Sequence, residues 1–140
     1  MTDDIAATRD FYVDLLGLHV AFDSDWFVNL RSEESPSSEL GVWRHDNAII
    51  AADFRHAPAG PVVSFIVDDV DAVHDDAVSR GLAIVEPPRD LFYGQRQLML
   101  AEPNGMLIDV STPVEMSEEF ASSLVEDGGT YRQRRSGTSS

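Results

Sequence analysis

Val62–Gly81 reads VVSFIVDDVDAVHDDAVSRG. Its first six residues are β-branched or aromatic apart from Ser64, the composition of a half-buried or buried strand. Asp68-Asp69 makes a turn, and the Asp69 carboxylate is placed to cap the helix that follows. Val70, Val73, Ala77 and Val78 then recur at helical spacing on one face. Gly81 supplies a left-handed exit. The chain states this pattern twice: Asp3-Asp4-Ile5-Ala6-Ala7 opens a helix running to Gly17-Leu18, as Asp68-Asp69-Val70-Asp71-Ala72 opens one running to Gly81-Leu82. The copies are offset by 65 residues at the cap (Asp4 to Asp69) and by 64 at the exit (Gly17 to Gly81). A period this long exceeds a solenoid unit and points to two copies of a small module.

With 140 residues, 43% of them hydrophobic, the chain is about one domain long and has the material for a core. No apolar run is long enough to span a bilayer, and the N-terminus lacks a secretory pattern, so the expected address is cytoplasmic. Cysteine is absent, which excludes disulfides, thiolate metal sites and a cysteine nucleophile. All 10 basic residues are arginine. The lack of lysine excludes Schiff-base catalysis and a P-loop. A net charge of −15 argues against nucleic acid and anionic membrane as partners. It suits a cationic ligand drawn by an acidic field, or simply a soluble surface.

The first helix spans Asp4 to Leu16, with Ile5, Phe11, Tyr12, Leu15 and Leu16 as its apolar stripe. Strands are expected at Leu18–Phe22, Trp26–Arg31 and Glu39–Arg44, with a solvent loop over Ser32–Ser38. Asn47–Phe54 is ambiguous between strand and connector. HAPAGP (His56–Pro61) links the modules. After the second helix come Leu82–Glu86, halted by Pro87-Pro88, then Gly94–Ala101 and Met106–Ser111. Glu102-Pro103-Asn104-Gly105 is hairpin-turn chemistry between the last two. The organisation is thus one domain over residues 1–115, with module one at 1–57 and module two at 61–113. Residues 116–140 form a short helix (Ser117–Leu124) and, from Val125, a disordered tail ending RQRRSGTSS.

Three stretches, AATRDFYVDLLGL (Ala6–Leu18), FIVDDVDAV (Phe65–Val73) and YGQRQLMLAEPNGMLIDV (Tyr93–Val110), together resemble the vicinal-oxygen-chelate superfamily of glyoxalases, bleomycin-resistance proteins and dioxygenases. The resemblance covers Asp3 to Pro113. It implies an α+β fold of two βαβββ modules whose curved mixed sheet surrounds a cavity, often completed in a homodimer. The fold hosts metal-dependent lyases, isomerases and ring-cleaving dioxygenases as well as metal-free antibiotic binders, so it does not decide function. A strand matching Val62–Val67 is expected before Asp3, where only Met1 and Thr2 stand, and the reading favours a late start to the sequence.

In metal-using relatives the ligands lie on the first and last strands of each module. The position commonly histidine is here Val62, and the position commonly glutamate is Asp109. The first module offers Glu39 as a weak second donor. His19, His45, His56 and His74 have no ligand spacing. A divalent site needs at least three protein donors, so no metal and no cofactor are expected. The resemblance implies that the ligand positions face the cavity, and period-2 alternation then turns Ser64, with Val62, and Asp109 toward it. Trp26, Trp43 and Tyr93 are the expected aromatic rim, and Arg96 is expected to pair with Asp109 or to share a polar ligand with it. The ligand-binding set is therefore Trp26, Trp43, Ser64, Tyr93, Arg96 and Asp109, with no catalytic residue. The expected function is metal-independent binding of a small aromatic or cationic, antibiotic-like molecule by a homodimer. The alternatives are a metal-dependent glyoxalase-like lyase or dioxygenase, and a degenerate member that only contacts another protein.

Overall fold

The computed structural model describes residues 1–35, 37–127 and 130–133. Helix α1 (Ile5–Leu16) begins where the Asp4 carboxylate accepts the Ala7 N–H, and ends at Gly17, whose φ of 63° frees its N–H to reach the Val13 carbonyl. Strands β1 (His19–Asp23), β2 (Phe27–Arg31) and β3 (Glu39–Trp43) follow as an antiparallel sheet in that order. Strand β4 (Val62–Ile66) leads into α2 (Val70–Ser79), capped by Asp69 and closed by Arg80 and Gly81. Strands β5 (Ile84–Leu91), β6 (Gln95–Ala101) and β7 (Leu107–Pro113) complete a second sheet in the order β4-β7-β6-β5. Only its β4–β7 pair is parallel. The architecture is α+β, with open sheets and few helices.

One face of each sheet is buried beneath the helices. Val28, Leu30 and Val42 point inward from the first sheet, and Leu98, Leu100, Ile108 and Val110 from the second. They meet Phe11, Tyr12 and Leu15 of α1 and Val70 and Ala77 of α2. Each valine, leucine, isoleucine or phenylalanine among them contributes about 1.5–3 kcal/mol when fully buried. Val78, placed on the same stripe by spacing, lies at its margin and is exposed.

A buried polar cluster ties the N-terminus to the β6–β7 turn. The Thr2 hydroxyl lies 2.8 Å from that of Thr8 and 2.7 Å from Asn104 Oδ1. Glu102 is buried and accepts from the Asn104 and Met106 backbone N–H groups and from Asn104 Nδ2. Burial first, and the Glu102 charge second, push the Tyr12 hydroxyl well above the usual phenol range.

Several local expectations give way. Strand β5 runs through Pro87-Pro88 instead of stopping there, because it is the sheet edge and its pairing with β6 is irregular at those positions. Asn47–Phe54 forms no strand; it contains a turn and a 3-10 segment at Ala52–Phe54. Helix α3 (Glu118–Ser123) is capped by Ser117 and set by Phe120 against Phe92, ring centroids 5.3 Å apart. Where a disordered tail is expected from Val125, β8 (Leu124–Asp127) and β9 (Thr130–Gln133) pair antiparallel. Residues 134–140 of that tail lie outside the described residues.

Candidate functional site

Alternation along the strands gives each sheet a second, open face. On the second sheet it carries Val62, Ser64 and Ile66 of β4, Leu107, Asp109 and Ser111 of β7, and Gln95, Gln97 and Met99 of β6. Val62, Ser64 and Ile66 are exposed there. Ser64 Oγ donates to Asp109 Oδ2 at 2.9 Å. Asp109 Oδ1 is buried and has no hydrogen-bond partner among the described residues. Ser111, fully buried, donates to Gln95 Oε1 at 2.7 Å.

The open face of the first sheet carries Phe27, Asn29 and Arg31 of β2 opposite Trp43, Gly41 and Glu39 of β3. Trp43 stacks at 4.7 Å from Phe27 and 5.7 Å from Trp26, and Phe22 lies 6.1 Å from Phe27. Gly41 makes room for this cluster, since a Cβ there would come within 3.1 Å of the Phe27 ring. Asn29 Nδ2 donates to Glu39 Oε2, and Arg31 Nη2 pairs with Glu39 Oε1. The Asn29 hydrogen bond, and then Arg31, lower the Glu39 carboxyl below its usual range. Asn29 Oδ1 is buried without a partner among the described residues.

The two faces correspond rung for rung. Thr2 N–H donates to the Trp43 carbonyl at 2.8 Å, as Val67 N–H donates to the Ser111 carbonyl at 2.9 Å. Trp43 is thus the counterpart of Ser111, and Gly41 that of Asp109. Asn29 pairs with Gly41 and Met99 with Asp109, so the two orphaned acceptors sit on equivalent rungs of the two sheets. Glu39 corresponds instead to Leu107, one turn of the alternation away. It is not a second copy of the Asp109 carboxylate.

Of the sequence-derived set, Trp26 and Trp43 come together on one open face, and Ser64 and Asp109 on the other. Tyr93 is in the β5–β6 turn, edge-on to Phe92 at 5.4 Å. Arg96 does not pair with Asp109. Leu98 and Leu100 share its face of β6, whereas Asp109 faces Met99, so the arginine emerges on the helix side. There it bonds Asp71 through Nε and Nη2 and Asp90 through Nη1, at 2.9–3.0 Å. The Arg96 hydrogen bond holds Asp71 below the usual carboxylate range. Sequence reasoning missed Asn29, whose position opposite the glycine of β3 is visible only once the register is known.

A cavity of about 710 Å³ lies elsewhere. It runs between β3 and β4 on the helix side, with Leu30, Leu40, Val63 and Phe65 in its lining. Among the described residues no three His, Asp or Glu side chains converge on one point, and no helix is long and apolar enough to cross a membrane.

A family model described as Glyoxalase/Bleomycin resistance protein/Dioxygenase superfamily matches residues 1–110. A search of curated proteins returns no match. Among solved structures, a glyoxalase/bleomycin resistance protein/dioxygenase family enzyme from Burkholderia phytofirmans is 22% identical over 81% of this chain and 93% of its own, with a TM-score of 0.68. A superfamily member from Sphaerobacter thermophilus is 22% identical over 80% of this chain and 90% of its own, at 0.65. TioX from a Micromonospora species is 20% identical over 81% and 93%, at 0.62. At these identities the likeness is one of fold.

Proposed function

The chain belongs to the Glyoxalase/Bleomycin resistance protein/Dioxygenase superfamily, and on that premise we propose that it binds a small aromatic or cationic molecule without a metal. The observation that carries this reading is the pair of orphaned acceptors, Asn29 Oδ1 and Asp109 Oδ1, on equivalent rungs of the two open faces. A buried acceptor without a donor costs about 1–3 kcal/mol. A ligand ammonium, guanidinium or amide would supply the missing donors and recover that cost. Beside Asn29 stand Trp26, Phe27 and Trp43, which offer ring faces to a planar or cationic group. Beside Asp109 stand the exposed Val62 and Ile66. An apolar surface with a few fixed polar atoms is the chemistry of a small-molecule site. The charge of −15 favours a cation in its approach.

The metal implied by the catalytic members of the family does not fit these residues. Val62 and Gly41 stand at two of the four positions used for ligands, and neither has a donor side chain. At most two protein donors remain where three are needed. A lyase or dioxygenase reading has no donor set to rest on. A homodimer and a cytoplasmic address accompany the proposal as parts of the same family-based reading.

The test is titration of the protein with cationic aromatic antibiotics, bleomycin among them, followed by tryptophan fluorescence and calorimetry. Saturable 1:1 quenching of Trp26 and Trp43 emission is expected, with binding unchanged by a chelator. Tight binding that leaves tryptophan emission unaltered and survives Asp109→Leu would overturn it.

A further inference from the structure

The two orphaned acceptors are held by different chemistry. Asp109 is a carboxylate, and whichever oxygen Ser64 bonds, the other remains an acceptor. Asn29 is an amide, with an acceptor on one side and two donors on the other. Which of them it leaves unpaired depends on what holds the rest of the group. That holder is Glu39. Its Oε2 accepts from Asn29 Nδ2 at 2.9 Å, and its Oε1 pairs with Arg31 Nη2 at 2.7 Å. Both carboxylate oxygens are thereby engaged, and the Asn29 bond is the larger cause that keeps the group ionised. An ionised carboxylate accepts and never donates. The Asn29 NH2 is therefore obliged to meet Glu39, and Oδ1 is the atom left over, buried and without a partner among the described residues.

Nothing beside Asn29 on this face satisfies that oxygen. The register sets Asn29 between Phe22 of β1 and Gly41 of β3, with Phe27 two residues before it and Arg31 two after. The phenylalanine rings have no donor to give, the glycine has no side chain, and Arg31 is committed to Glu39. The Trp43 indole N–H, 3.5 Å from where a Gly41 Cβ would stand, does not bond it either. The result is one fixed acceptor set among the rings of Phe22, Phe27 and Trp43.

We propose that Glu39 is a positioning residue that sets the hydrogen-bond polarity of the first sheet's open face, so that this face selects cations bearing an N–H, a protonated amine or guanidinium, over quaternary ammonium. The inference rests on the small-molecule reading of the open faces. Ring faces alone would not make this choice, since cation–π attraction serves a quaternary ammonium as well as a protonated amine. Asn29 Oδ1 makes it, because only a cation with an N–H relieves the cost of a buried acceptor without a donor.

The probes are phenethylammonium and its N,N,N-trimethyl derivative, which share ring and charge and differ in their N–H groups. Binding to the full chain is read by NMR titration at the indole N–H signals of Trp26 and Trp43, the two tryptophans of the sequence. Both lie on the first sheet's face and so report it apart from Asp109. The parent should bind the amine about tenfold more tightly than the trimethyl compound. Glu39→Gln supplies an amide that can donate to Asn29 and let it turn, and should bring that ratio to about one. Arg31→Gln removes the ion pair but keeps the carboxylate, and should keep the ratio. Both side chains are exposed, so neither change disturbs the core. A Glu39 that served stability alone would shift both affinities together and leave their ratio unmoved. Equal binding of the two cations by the parent, a ratio that survives Glu39→Gln, or a ratio lost equally in Arg31→Gln would each overturn this inference and leave the cation site standing. No response of either indole signal to either cation would overturn it together with the reading on which it rests.

Discussion

Asp109→Leu should make the protein more stable and a worse binder. In the free protein Asp109 Oδ1 is buried without a donor among the described residues, while Oδ2 accepts from Ser64 at 2.9 Å. Removing an unsatisfied buried acceptor relieves about 1–3 kcal/mol. Losing the Ser64 bond costs about 0.5–1.5 kcal/mol, and at the low end of that range, because Ser64 is exposed and its hydroxyl turns to water. The balance is a gain of about 1 kcal/mol, or about 2–4 °C in Tm for a domain of this size. Stability gained at the expense of function is what a binding residue shows. Loss of the acceptor should weaken a cationic ligand at least tenfold, which corresponds to about 1.4 kcal/mol. Paired urea and thermal melts with calorimetric titration read both quantities on one variant. A loss of 1 kcal/mol or more in the melts, with affinity intact, would refute the reasoning and make Asp109 a structural residue.

Glu102→Ala should cost about 2–3 kcal/mol in urea melts, because three donors in and around the β6–β7 turn converge on this buried carboxylate. Exposed Glu34→Ala should stay within about 0.5 kcal/mol. Arg96→Gln should raise the Asp71 pKa in an NMR titration, since the arginine hydrogen bond is the largest cause of its depression. A depressed carboxylate stabilises above its unfolded pKa and loses that contribution as pH falls through its folded pKa. The variant should therefore be less stable than the parent at neutral and alkaline pH, with a flatter acid limb, and the difference should close once pH has fallen below the Asp71 pKa. Gly41→Ala should displace Phe27, shift tryptophan emission through Trp43, and cost about 1 kcal/mol or more by overpacking.

The elements that local chemistry controls were legible in the sequence. Asp4 and Asp69 cap their helices, Gly17 and Gly81 close them, and the Glu102–Gly105 turn joins two strands as its residues require. Pro87-Pro88 misleads because a proline's effect depends on whether its strand is central or at an edge, and edge position is a property of the sheet. In the tail, Gly128-Gly129 between Val125 and Tyr131 is a hairpin signal that the surrounding polar composition outweighs. At the site, alternation correctly brings Ser64 beside Asp109, because both lie in one parallel ladder. The expected pairing of Arg96 with Asp109 rests on residue type alone, and it fails because the register of β6 against β7 decides which face the arginine takes. The correspondence of Gly41 with Asp109, and with it the role of Asn29, needs that same register.

Metal analysis of the purified, untagged protein, joined to ligand titration with and without chelator, separates a metal-free binder from a metalloenzyme. Iron, manganese, nickel and zinc should be substoichiometric, and EDTA should leave the binding isotherm of a cationic aromatic ligand unchanged. One metal ion per chain, lost in Asp109→Leu and required for binding or turnover, would contradict it.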